Sequence, residues 1–169
     1  MARDSWKMPG PYLPEEAAAI AEIQQKIFFY GWCIDQRDFD ALDELFSSDA
    51  IVHYDVPDGT RAPWKEMKSW LPKGLEIFRV TQHNMSNPMV EIDLEGGQAR
   101  SRTYGHLIHV QENADTSTSV MRHHSIYHDE WLKLDGDWRI SARTLTNLYV
   151  DGPVFRGDRI ISHRQAKPF

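Results

Sequence analysis

Apolar positions in the first part of the chain recur at steps of three and four. Ile20, Ile23, Ile27, Tyr30 and Ile34 follow Pro14, which suits a first helical turn, and Glu15 and Glu16, which suit its positive end. The spacing predicts a helix of about 20 residues with Tyr30 on its buried stripe. It should stop around Asp35 to Arg37, and Asp38 is placed to cap a second helix in which Phe39, Leu42, Leu45 and Phe46 face inward. "AIVHYDV" (50–56) is a short β-rich run closed by the turn signal "PDGT". Pro63 then opens a third helical segment carrying Trp64, Met67, Trp70 and Leu71, which Pro72 kinks or ends near Phe78.

Beyond that point the period changes to two. Residues 79–94, 98–112, 118–134 and 138–150 read as four strands, separated by "EGG", "NADTST" and "DGD". Sequential long strands with hairpin connections predict an antiparallel meander, and Pro88 assigns its first strand to an edge or a bulge. Residues 1–13 read as an N-terminal arm, 14–150 as one domain and 151–169 as a tail without a clear element. Helices followed by a curved antiparallel sheet that wraps around them give an α+β class.

Composition narrows the picture in three ways. The 169 residues fit one domain able to bury a core. A net charge of −6, with scattered arginines and lysines, offers no basic stripe for a phosphate backbone, so nucleic acid is set aside as a partner. The single cysteine, Cys33, falls inside the apolar helix pattern and reads as a buried, unreactive thiol. Neither a signal-like apolar run nor a stretch long enough to span a membrane is present, and a soluble cytoplasmic protein is expected.

With the element order in place, the chain resembles the nuclear transport factor 2-like superfamily and, within it, the SnoaL-like branch. The resemblance covers roughly residues 15–150 and rests on "RDFDALDELFSSDAIVHYD" after the first helix and "LDGDWRISAR" at the last hairpin. It implies a cone-shaped α+β barrel. The fold hosts isomerases, dehydratases, cyclases, hydrolases and inert subunits, so it marks architecture better than activity. The arrangement is most similar to cofactor-independent lyases of the scytalone dehydratase, bile-acid dehydratase and hexachlorocyclohexane dehydrochlorinase kinds. That similarity implies catalytic roles for Tyr30 and Asp35 in "YGWCID", His83 in "TQHNMSN" and Arg143 in "WRISAR".

Chemistry supports these residue types independently. Histidine titrates nearest neutrality and can remove a proton at pH 7 once its tautomer is fixed. An aspartate on its far nitrogen would fix that tautomer and stabilise the imidazolium. Such a partnership would also account for a carboxylate at the negative end of the first helix, where an anion is otherwise unfavourable. Tyr30 adds a phenol donor for a substrate oxygen, and Arg143 a charge for a developing anion. Each residue also has an ordinary reading: Asp35 in solvent or paired with Arg37, His83 a strand histidine, Tyr30 a core residue, Arg143 an outer-face ion-pair partner.

Tyr104 and His106 share one strand face, and a second histidine on the neighbouring strand is a feature of the scytalone dehydratases; His106 is therefore a candidate proton donor to a leaving group. Tyr54, Trp64, Trp70, Asn147 and Tyr149 are candidates to line a pocket. The histidines of "RHHSIYH" invite a metal, but His123 and His124 should face oppositely and His124 and His128 should stand about 13 Å apart, so neither metal nor other cofactor is expected.

The reading expected first is a lyase or isomerase that abstracts a proton next to a carbonyl of a small apolar or polycyclic substrate. The alternatives are a non-catalytic binding or structural subunit, such as the small subunit of a ring-hydroxylating dioxygenase, and an epoxide hydrolase using an Asp-Arg-Asp relay through Asp35 and Arg143. Val120, Ile126 and Leu132 are expected to form an exposed face for a homodimer or homotrimer.

Overall fold

The computed structural model describes residues 9–54, 59–156, 159–160 and 165–166. Helix α1 (Pro14–Gln36) begins where expected: Pro14 occupies its first position and the Leu13 N–H donates to Glu16 Oε2 at 2.8 Å. Ile23, Ile27, Tyr30 and Ile34 are buried along one stripe. The second helix is a correction. Only a four-residue 3-10 turn (Ala41–Glu44) forms, with Asp38 Oδ1 accepting from the Ala41 N–H. Leu42 and Leu45 are buried as expected, but Phe46 already begins strand β1 (Phe46–Tyr54). The apolar spacing of "FDALDELF" serves one short turn and the start of a strand equally well, and tertiary pairing decides between them.

Strand β2 (Thr60–Pro63) pairs with β1 and leads into α2 (Trp64–Leu75), which carries Pro72 within it and ends before Phe78. Part of the expected "PDGT" turn lies outside the described residues. The four long strands are β3 (Val80–Asp93), β4 (Gln98–Glu112), β5 (Thr118–Leu134) and β6 (Asp137–Asp151), matching the period-two segments closely. The sheet order is β2-β1-β6-β5-β4-β3. β3 is the edge strand, and its register with β4 shifts between Ser86 and Met89, around Pro88, so both devices expected for that proline are used. β1 runs parallel to β6, making the sheet mixed rather than wholly antiparallel. The tail is more ordered in pattern than expected: β7 (Phe155–Arg156) pairs with β8 (Arg159–Ile160), and β9 (Gln165–Ala166) pairs with β6.

Helix α1 lies in the hollow of this curled sheet, closest to β3. Gly31 sets the approach: a Cβ there would stand 2.8 Å from the His83 carbonyl oxygen. The interior has two characters. Around the β5–β6 hairpin it is apolar, with Trp131, Trp138 and Ile140 buried alongside Ile23 and Ile27 of α1. Elsewhere the inward positions of β4, β5 and β6 carry polar side chains: Thr103, His109, Gln111, Ser125, Asp129, Arg143 and Asn147 are all buried. A core built only for packing would be apolar there, so buried polarity is the informative observation. Of the expected oligomer face, Ile126 is buried within the single chain and Val120 and Leu132 are half-buried, which corrects their reading as exposed.

Candidate functional site

The last turn of α1 delivers Asp35 to β3. Asp35 Oδ1 lies 2.7 Å from His83 Nδ1, Oδ2 accepts the His83 backbone N–H at 2.7 Å, and Oδ1 also accepts the Thr81 hydroxyl at 3.0 Å. Burial pushes the Asp35 carboxyl up, but the hydrogen bonds and charge of His83, with the Thr81 hydroxyl, outweigh it and hold the group below the usual carboxylate range. An ionised carboxylate only accepts, so the proton of neutral His83 sits on Nδ1 and Nε2 keeps its lone pair.

The expected neighbour Arg37 does not bond Asp35 directly. It caps α1 in the left-handed conformation (φ 62°), and its guanidinium donates to the Ile34 carbonyl at 3.0 Å, the Thr81 hydroxyl at 2.7 Å and the Phe78 carbonyl at 3.2 Å. A cation thus stands at the helix end where a cation is favourable, beside the anion that is not.

From His83 a row of imidazoles crosses the sheet. The His83 and His109 rings stand 5.5 Å apart, those of His109 and His123 5.3 Å, and His123 Nδ1 lies 3.2 Å from Asn147 Oδ1, which also accepts the Ser125 hydroxyl at 2.7 Å. Desolvation, reinforced by the charge of His83, pushes His109 well below the ordinary histidine range; His123 is lowered as well, burial outweighing its bond to Asn147. Both rings are neutral at pH 7. Among the described residues His109 Nδ1 and His123 Nε2 are buried without a hydrogen-bond partner, an unsatisfied polarity unusual for a packed interior.

A second group surrounds Tyr30. Its hydroxyl is 2.9 Å from that of Tyr54, and its ring meets those of Phe46 and Tyr127 edge-on. Arg143 lies against Tyr30 at 4.1 Å from the ring centroid, with Tyr127 at 4.9 Å, while Nε and Nη2 grip Asp129 at 2.6 and 2.9 Å. Burial and the neighbouring Tyr30 raise the Tyr54 phenol well above its ordinary value, so it remains a proton donor. Arg143 is therefore held by Asp129 and by aromatic faces, with Nη1 left without a hydrogen-bond partner among the described residues. It joins no Asp35-Arg-Asp relay, and Asp129 is the partner that sequence reasoning did not place.

The other expected site residues divide. Trp64 is buried in the core, stacked on Phe46 at 4.0 Å, and its indole N–H donates to Asp43 Oδ1 at 3.0 Å. Asn147 belongs to the imidazole row. Tyr104 and His106 are exposed on the outer sheet face, where His106 meets His124 (ring centroids 5.0 Å apart), and the structure does not bring them to His83; Trp70 is exposed and Tyr149 packs on His124. The interior histidine of β4 is His109, three residues further along. Burial and the charge of Asp38 push the Cys33 thiol up to about 11, which leaves it inert. Among the described residues no group of three or more His, Cys, Asp or Glu side chains is arranged to hold a metal ion, and no helix is long and apolar enough to cross a membrane.

Comparison with known proteins agrees with this architecture. Residues 15–144 match the model of the SnoaL-like domain. The uncharacterized protein Rv2910c of Mycobacterium tuberculosis (strain ATCC 25618 / H37Rv) is 30% identical over 128 residues, covering 76% of this chain and 84% of the relative. A protein of Novosphingobium aromaticivorans DSM 12444, provisionally named a scytalone dehydratase, superposes with a TM-score of 0.70 at 23% identity, covering 89% of this chain and 97% of that one. The structure of LinA superposes with a TM-score of 0.66 at 18% identity, covering 80% and 90%. At these identities the superpositions speak to fold.

Proposed function

Because the chain belongs to the SnoaL-like domain family, within the nuclear transport factor 2-like fold, we propose that it is a cofactor-independent lyase or isomerase acting on a small apolar or polycyclic carbonyl compound. The observation that carries this reading is the 2.7 Å contact between Asp35 Oδ1 and His83 Nδ1 on a carboxylate that also accepts the His83 backbone N–H. Asp35 is the orienting group. His83 Nε2 is the base.

In the elimination, Nε2 takes the proton next to the substrate carbonyl, and the C–H electron pair forms an enolate. The paired hydroxyls of Tyr30 and Tyr54 are suited to hold the enolate oxygen. The enolate then collapses to the conjugated alkene as the β C–O bond breaks, and the imidazolium returns its proton to the departing hydroxyl, which leaves as water. Asp35 stabilises the imidazolium between those steps. His109 and His123, which continue the row of rings from His83 and keep unpartnered ring nitrogens, are suited to hydrogen-bond further substrate oxygens. Arg143, locked to Asp129, holds the Tyr30 ring in place.

The test is a panel of enolisable β-hydroxy ketones of increasing ring number, followed by mass spectrometry for loss of water and for uptake of solvent deuterium. The expected result is turnover or exchange with one or more members, reduced about 10²–10⁴-fold in His83→Gln, the range for loss of a general base. Turnover undiminished in His83→Gln would contradict the assignment. The second reading, a non-catalytic subunit, draws on a different observation: Trp32 and Phe29 stand exposed on α1, Trp32 at 68%. Copurification of a larger chain with an inert protein would favour it.

A further inference from the structure

The conformation of Arg37 leads beyond the histidine and its carboxylate. A non-glycine residue in the left-handed region costs roughly 1–2 kcal/mol, and glycine is the residue that usually ends a helix this way. What the arginine supplies in place of a glycine is its side chain. Three of its hydrogen bonds are those to Ile34, Phe78 and Thr81, and the last sets a direction: a guanidinium only donates, so Thr81 Oγ1 must accept from Arg37 Nη1 at 2.7 Å. The Thr81 proton is then left for Asp35 Oδ1 at 3.0 Å. Thr81 itself is buried, on the strand that carries His83.

We propose that Thr81 and Arg37 are positioning residues for the proton-transfer pair, forming a directed chain from Arg37 to Thr81 to Asp35 to His83. The chain rests on the functional reading above. Asp35 Oδ2 is anchored by the His83 backbone N–H, and a carboxylate with one anchored oxygen can still turn about that point. The Thr81 hydroxyl removes this freedom by holding Oδ1 beside the His83 ring. Arg37 fixes which way the Thr81 hydroxyl points and cannot be deprotonated at any working pH.

The experiment is ¹⁵N NMR of the full chain labelled at histidine, reading the Nδ1–H to Nε2–H tautomer ratio of neutral His83 and the exchange lifetime of its Nδ1 proton. The variants are Thr81→Val, Thr81→Ser, Arg37→Gly and, as control, Asp35→Asn. Thr81→Val keeps the branched shape without the hydroxyl, and Arg37→Gly keeps the left-handed cap without the guanidinium. Loss of either is expected to raise the minor tautomer share about tenfold, the effect of one hydrogen bond to a charged group, and to shorten the Nδ1 proton lifetime. Thr81→Ser is expected to restore both. If Thr81→Val and Arg37→Gly keep the parent ratio and lifetime while Asp35→Asn changes them, the positioning role is overturned and the pair stands. If Asp35→Asn also changes nothing, the pair itself fails.

Discussion

A carboxylate at the negative end of a helix has to be compensated, and in this chain the compensation comes from two sides. His83 takes one lone pair through its ring and another through its backbone, and Arg37 supplies a cation one hydroxyl away. Asp35 and His83 were legible as a pair through the resemblance to the SnoaL-like lyases, while periodicity located the helix end and the strand start that carry them. Asp129 was not, since nothing in "HDEWLKL" says which carboxylate meets an arginine on the next strand. Register decides it: Asp129 and Arg143 are paired opposite each other in β5 and β6. With both side chains fully out of solvent, removing one partner leaves the other charge buried alone. Asp129→Asn should therefore cost on the order of 3–5 kcal/mol in denaturant unfolding, and Arg143→Lys should not be neutral, because an ammonium lacks the two-pronged donor. A loss below about 1 kcal/mol would show that the pair is not the structural clamp described here.

Among the elements, strands proved easier to read than short helical pieces. The long strands begin and end within a residue or two of their period-two segments, because alternation over that length fits nothing else. The "FDALDELF" segment failed as a helix, because four apolar positions at helical spacing also describe one turn followed by a strand. His109 was missed for a related reason. Alternation shows that β4 has two faces, but both faces hold apolar and histidine residues, so the inward one cannot be chosen from sequence. Gly105, whose missing Cβ makes room for the Tyr127 ring, marks that face in retrospect. Gly31 matters in the same way between α1 and β3. Gly31→Ala improves intrinsic helix propensity by about 1 kcal/mol yet forces the helix off the His83 carbonyl. We expect net destabilisation of about 1–3 kcal/mol, the range for overpacking, together with a disturbed His83 ring signal. A stabilised variant would mean that the helix is free to move away from β3.

For the whole molecule, the curled sheet places a polar wall opposite a polar helix end, and this has a consequence for stability. The folded-state values of His109 and His123 lie below that of a histidine in an unfolded chain. As pH falls through about 6.5 the unfolded chain takes up protons that the folded one refuses, so stability drops. The contribution is fully present above pH 6.5 and is lost progressively toward the lower folded values. His109→Gln should flatten the slope of unfolding free energy between about pH 6.5 and 5; an unchanged slope would mean that these rings are not buried as neutral groups. The parallel closure of β1 on β6 was beyond the sequence, since it joins strands far apart in the chain and depends on the helices between them.

The central claim is that Asp35 holds His83 as a base with Nε2 free, and the tautomer of His83 in the unmodified protein tests it most directly, with no substrate required. The ¹⁵N spectrum near pH 8 should show neutral His83 predominantly protonated on Nδ1, with its proton protected from exchange. A ring protonated mainly on Nε2, or divided evenly between the two forms, would contradict the assignment.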